Sequence, residues 1–155
     1  MLFLLFQAGN DAYALDARQV REVIPRVVLR ECPGAPAFIA GLFNYRGIVV
    51  PVLDFCRLLQ QPPCRPRLST RILLVAGGEP AHHRSRLLGL MVESLIKTLE
   101  AEEQVFSQAG VAADQAPFLG TIFCDGERLI QRLIPDRLLS AETATMLLAC
   151  ENPGK

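Results

Sequence analysis

A chain of 155 residues is long enough for one domain, or for two small lobes sharing a core. Half of it is hydrophobic and 21% is charged, the balance of a globular chain and not a disordered one. Sixteen basic residues against sixteen acidic ones give a formal net charge of zero, which argues against a nucleic-acid binder and leaves little repulsion to keep copies apart.

Met1 to Phe6 is apolar but has no basic flank and is too short for a secretory signal, with Asn10-Asp11 following soon after. Phe3 to Gln7 and Ala12 to Leu15 flank Ala8-Gly9-Asn10-Asp11, which predicts a first hairpin. Val20 to Leu29 predicts an extended segment, with Val20, Glu22 and Ile24 on one face and Arg21 and Val23 on the other. Pro25 cannot donate to a ladder and marks an edge or a kink. Cys32 to Pro36 reads as a turn, and Ala37 to Ala40 as a helical turn.

Gly41 to Leu59 predicts a strand, a tight turn at Arg46-Gly47, a second strand, and a short helix capped by Asp54. Gln60 to Arg67 holds three prolines and reads as a connector. Thr70 to Ala76 and Leu87 to Val92 predict paired strands around a polar loop, 77–86, that carries His82 and His83. Residues 93–104 fit either a helix, from Val92, Leu95, Ile96 and Leu99, or a β segment. Val105 to Pro117 reads as an exposed loop. Leu119 to Cys124 and Arg128 to Ile134 predict a late hairpin about Asp125-Gly126, and Pro135 to Ala149 a closing helix.

Two stretches echo one another. Phe38 to Gly47 and Phe118 to Gly126 each follow a proline, pass through a hairpin with a charged-Gly turn, and lead to Asp54 or Asp136 ahead of a Leu-Leu pair. The echo predicts two similar β lobes, each closed by a short helix, and the many short strands favour barrels over one open sheet.

The sequence gives no positive support for catalysis. His82 and His83 are adjacent in a polar loop, and adjacent residues rarely converge as metal ligands. Gly77-Gly78 lacks the Lys-Ser/Thr and the helix of a phosphate loop. Glu100, Glu102 and Glu103 fit a solvated face, and Asp54 and Asp136 fit helix caps. The five cysteines form no C-x-x-C and no Cys/His pair at metal spacing, so they are expected to be reduced, mostly packed thiols in the cytoplasm. No run of apolar residues approaches the roughly 20 that span a bilayer, and neither metal nor cofactor is expected. Glu22 and Arg46, each in an apolar setting, are either independent surface charges or a pair. An exposed pair is worth roughly 0 to 1 kcal/mol; in a buried one, losing a partner costs about 3 to 5 kcal/mol.

Phe6-Gln7 with Tyr13 to Asp16, Val20 to Pro25, Pro33 to Gly41, Asn44 to Asp54, Thr70 to Leu73 and Gly89 to Leu95 form an ordered series of motifs, and on these the chain resembles the CheW family of bacterial chemosensory adaptors. Phe6-Gln7 with Tyr13 to Asp16 resembles the family's opening hairpin, and Val20 to Pro25 its V-x-E-V/I segment. Pro33 to Gly41 followed by Asn44 to Asp54 is close to its P-x-x-P-x-F-I-x-G…N-x-R-G-x-I-x-P-V-x-D-L signature. Thr70 to Leu73 and Gly89 to Leu95 resemble two later elements, in order. Phe55-Cys56 and Glu93 depart from the pattern, which has Leu-Arg and Asp there.

The resemblance implies a mostly β fold of two intertwined five-stranded SH3-like β-barrels with short helices, including a C-terminal helix. It implies one CheW-like domain over 1–150, with lobes roughly at 15–65 and 66–137, terminal segments joining them, and a frayed tail at 151–155. It implies a non-enzymatic cytoplasmic adaptor, recruited to receptor arrays at the inner membrane. The adaptor would link the cytoplasmic tip of a methyl-accepting chemoreceptor to the regulatory domain of a CheA-type histidine kinase, with other CheW-like domains as further partners. The protein-binding residues it points to are Val20, Glu22, Asn44, Arg46, Gly47, Met91 and Val92, and it favours a Glu22–Arg46 contact. Two rivals remain: a CheW-like adaptor of a non-flagellar pathway, in surface sensing or twitching, and a small β-barrel that binds a ligand or nucleic acid. The lack of tryptophan and the presence of only two tyrosines argue against stacking platforms for nucleic acid.

Overall fold

The computed structural model describes residues 1–77, 86–102 and 116–139. Among the described residues, ten strands carry the fold. They are β1 (Leu2–Ala8), β2 (Asp11–Asp16), β3 (Val20–Pro25), β4 (Ile39–Tyr45) and β5 (Ile48–Asp54), then β6 (Arg71–Gly77), β7 (Arg86–Val92), β8 (Ser94–Glu100), β9 (Leu119–Asp125) and β10 (Arg128–Leu133). A short helix, α1 (Phe55–Leu58), follows β5, and 3-10 turns occupy Ala17–Gln19 and Pro135–Arg137.

The strands form two five-stranded sheets, in the orders β8-β1-β2-β10-β9 and β3-β6-β7-β5-β4. Both orders have the same plan. A hairpin (β1-β2 or β6-β7) runs beside a second hairpin (β9-β10 or β4-β5) through one parallel pairing, Ile130 opposite Ala12 or Val52 opposite Gly89. The remaining strand, β8 or β3, lies antiparallel on the far side of the first hairpin. In chain order β1–β5 and β6–β10 are therefore two copies of one unit, and each sheet combines the first hairpin of one copy with the last three strands of the other. The lobes are intertwined for that reason. Residue 65, the division expected from sequence, falls between β5 and β6, which lie in the same sheet.

The expected hairpins form where their turn residues predicted them. The echo between them is physical: Asp54 N–H donates to Phe38 O at 2.8 Å, and Ile134 N–H donates to Phe118 O at 2.7 Å. Asp54 caps α1 by accepting from Arg57 N–H at 3.2 Å. Asp136 does not cap its turn; Ile134 takes that position with no side-chain bond, because Pro135 starts the turn and needs no partner for a missing N–H. The helical turn expected at Ala37 to Ala40 is replaced by a turn at Ala37-Phe38 and the start of β4.

The ambiguous stretch after Val92 is strand β8. Its helical spacing loses to the free edge of β1, whose backbone groups need a ladder. A bulge between Leu5 and Phe6 turns β1 over midway along its length. Phe3 and Leu5 then pack with Ala14 and Ile130, while Phe6 and Ala8 face the larger core shared by both sheets. A second bulge, between Val20 and Glu22, interrupts the alternation expected of β3, and Val23 and Ile24 both reach the core.

Phe55 in α1 joins the sheets. It is fully buried and meets Phe6 at 5.3 Å, Tyr13 at 4.9 Å and Phe118 at 6.1 Å between ring centroids. Cys56 and Cys64 are buried free thiols and Cys124 is an exposed one, but Cys32 is disulfide-bonded, against the expectation of reduced thiols throughout. The histidine loop, the expected loop after residue 105 up to 115, and the closing helix beyond Leu139 lie outside the described residues.

Candidate protein-binding site

β3 and β4 are the two edges of one sheet. The sheet curls enough that Arg30, beyond β3, bridges to Leu42 of β4 through bonds of 2.8 Å each way. Gly41 permits this approach: a Cβ there would lie 2.6 Å from Arg30 O, and its φ of 151° disfavours any other residue. Near the end of β4 the same curl carries Glu22 to the β4–β5 turn. Arg46 Nη2 stands 3.6 Å from Glu22 Oε1. Tyr45, the last residue of β4, donates its hydroxyl to Glu22 Oε2. The Arg46 guanidinium lies over the Tyr45 ring, 5.1 Å from its centroid. Carboxylate, phenol and guanidinium thus close a triangle across the seam.

The turn aims the triangle. Arg46 has φ 50° and Gly47 φ 87°, the two positive values of a tight hairpin turn whose twist matches its strands. Asn44 Oδ1 accepts from Gly47 N–H at 2.7 Å, which fixes that shape. Asn44 and Gly47 therefore set the position of Arg46. The Arg46 side chain is 75% exposed and that of Glu22 36%, so the pair belongs to the surface regime. Bonding to the Glu22 carboxylate raises the Tyr45 hydroxyl above the ordinary phenol range, since ionising it would place two anions together. Ile48 and Val49, 50% and 46% exposed, continue the tip with apolar surface.

The structure thus gathers Glu22, Asn44, Arg46 and Gly47 at one tip. Val20 lies at the start of β3, half-buried against the core. Met91 and Val92 are in β7, buried in the core, where Met91 pairs with Asp54 at the opposite end of β5 from the tip. Sequence reasoning missed Tyr45, whose signal was a polar hydroxyl on a residue otherwise placed for burial. It also missed an ion pair across the other sheet: Lys97 of β8 and Asp125 of β9, its two edge strands, pair at 3.1 Å.

This tip offers a cation, an anion, an aromatic face and exposed apolar groups on a rigid hairpin. That mix of groups is of the kind found at recognition surfaces. Residues 2–143 match the family model for the CheW-like domain. The chain belongs to the CheW-like domain family. It is 26% identical to the chemotaxis protein CheW of Klebsiella aerogenes over 147 residues, covering 94% of this chain and 85% of that protein. It is 33% identical to the protein FrzA of Myxococcus xanthus over 76 residues, about half of each chain (49% and 48%). The crystal structure of the scaffolding protein TtCheW from Thermoanaerobacter tengcongensis superposes with a TM-score of 0.79 at 21% identity, covering 92% of this chain and 89% of that one. That likeness matches the fold of a CheW structure, with its mostly β character and two five-stranded sheets. Among the described residues no helix is long and apolar enough to cross a membrane.

Proposed function

We propose that this CheW-like chain is a non-enzymatic adaptor that couples a methyl-accepting chemoreceptor to a CheA-type histidine kinase. The observation that carries the reading is the Glu22–Tyr45–Arg46 triangle, held on a rigid turn beside exposed Ile48 and Val49. A surface of this composition binds protein segments: Arg and Tyr anchor, and the apolar neighbours exclude water. Glu22, Arg46, Asn44 and Gly47 form the docking tip, with Val20 along the same strand. Met91 and Val92, buried in the core at the opposite end of β5 from the tip, act on binding only indirectly, through the core. Contacts of micromolar strength, about −8 kcal/mol each, suffice when an array repeats them. The chain would work in the cytoplasm, drawn to receptor clusters at the inner membrane.

The test is a reconstituted mixture of receptor cytoplasmic fragment, kinase and this chain. Kinase activity is expected to rise only when the chain is present, and to fall back with folded Arg46→Ala. Activity unaffected by the chain in that mixture sinks the reading. The partial match to FrzA keeps a second pathway open. Recovery of a particular receptor and kinase on immobilised protein, from its own cell extract, distinguishes flagellar from non-flagellar use.

A further inference from the structure

We propose that Cys56 and Cys64 form an oxidation site, a buried dithiol that a peroxide converts to a reversible disulfide. Cys56 lies in α1 and Cys64 in the proline-rich connector after it, and both are buried (1% and 7% exposed). Their sulfurs are 2.9 Å apart without being bonded. A disulfide bond is about 2.05 Å, so closure needs a movement of roughly 0.9 Å. The clamp that holds them is Asp54. Its carboxylate accepts from Arg57 N–H at 3.2 Å on the helix side and from Cys64 N–H at 3.0 Å on the connector side. Pro62 and Pro63, directly before Cys64, stiffen the chain that delivers it.

The surroundings assign the roles. Glu93 Oε1 lies 3.6 Å from Cys56 Sγ and is itself fixed by Gly9 N–H at 2.6 Å, so a proton acceptor stands beside Cys56. The Cys64 thiol donates instead to Cys56 Sγ and to Met91 O at 3.4 Å, and the bond to Cys56 together with burial raises its pKa far above an ordinary thiol. Cys56 is the attacking sulfur and Cys64 the resolving one. Glu93 also lines a cleft of about 310 Å³ with Gly9, Gln61 and Pro62, so the group that takes the Cys56 proton borders open space beside the buried sulfur.

The step balances with hydrogen peroxide as the oxidant. Cys56 gives its proton to Glu93, and the thiolate attacks one peroxide oxygen. The O–O bond breaks, Cys56 becomes a sulfenic acid, and the departing hydroxide takes the proton from Glu93 to leave as water. The Cys64 sulfur then attacks the Cys56 sulfur. The S–O bond breaks, and the departing hydroxide takes the Cys64 proton as a second water. Two thiols lose two electrons, and the peroxide gains them.

Asp54, Cys56 and Cys64 also offer ligand atoms within 4.8 Å of one another, the donor types of a metal centre. The spacing favours the disulfide. A zinc ion about 2.3 Å from each thiolate in a tetrahedral site needs sulfurs roughly 3.8 Å apart, and the carboxylate already accepts two N–H groups.

The experiment uses the full chain carrying Cys124→Ser, which removes the exposed thiol. It is exposed to hydrogen peroxide, alkylated under denaturing conditions, digested with trypsin and read by mass spectrometry. Arg57 separates the two cysteines, so the disulfide joins two distinct peptides. The joined pair is expected to become the main species and to disappear on treatment with dithiothreitol. Added Cys64→Ser is expected to leave a sulfenic acid at Cys56 that dimedone traps. The proposal is overturned if both thiols remain open to alkylation after peroxide. It is equally overturned if Cys56 over-oxidises while Cys64 stays free, or if the chain binds one equivalent of zinc that blocks cross-linking.

Discussion

Glu22→Gln and Arg46→Ala, made singly and together, separate the energetic role of the triangle from its role in binding. At 3.6 Å, two unit charges attract by about 1 kcal/mol in the dielectric of water. With Arg46 three-quarters exposed, water is the appropriate limit, and ordering the long side chain removes part of that gain. The coupling energy from the double-mutant cycle is therefore expected below about 1 kcal/mol. Stacking on Tyr45 adds about 0.5 to 1 kcal/mol to the loss from Arg46→Ala alone. Urea titrations with a common slope give these values. Binding to a receptor cytoplasmic fragment, followed by calorimetry, is expected to weaken about tenfold or more with Arg46→Ala, equivalent to about 1.4 kcal/mol or more. Arg46→Lys should recover only part of this, because an ammonium keeps the charge but not the planar face. A coupling energy above about 2 kcal/mol refutes the surface-regime reasoning. Unchanged receptor affinity in folded Arg46→Ala refutes the binding role.

Three further outcomes follow from the packing. Gly41→Ala forces a Cβ to 2.6 Å from Arg30 O, and thermal melts should show a loss of at least about 2 kcal/mol; an unchanged midpoint means the Arg30–Leu42 seam is not held as described. Phe55→Ala empties the aromatic junction between the sheets and should cost about 3 to 5 kcal/mol by denaturant unfolding, far more than any change at the hairpin tip. Burial, with Asp11 and Cys56 adding, pushes the Tyr13 hydroxyl up to about 12. The folded state therefore keeps a proton that the unfolded chain releases near pH 10. Its stabilising share, roughly 2 to 3 kcal/mol, is whole below pH 10 and lost as pH rises toward about 12. Tyrosinate absorbance should show neither tyrosine ionising at pH 10, and Tyr13 releasing its proton last or on unfolding; both titrating near pH 10 in folded protein contradicts this.

What the sequence determined by itself was local. Gly9-Asn10, Arg46-Gly47 and Asp125-Gly126 specify tight turns through their backbone preferences, and the β-branched and aromatic runs beside them specify strands. The N-x-R-G motif in its flanks carried the family, and the isolated charges of Glu22 and Arg46 in apolar strands marked the pair that the structure joins. Tertiary structure decided what depends on partners far along the chain. A period-two pattern says which face of a strand is buried but not which strand it meets, so the exchange of hairpins between the two copies could not be read from either copy alone. Residues 94–100 became a strand because β1 left an edge to pair, not because their spacing required it. Bulges at Leu5/Phe6 and Val20/Glu22 redirected side chains that strict alternation would have placed elsewhere. Tyr45 reached Glu22, and Cys56 reached Cys64, only once a curled sheet and an aspartate clamp had brought together atoms that no sequence motif connects.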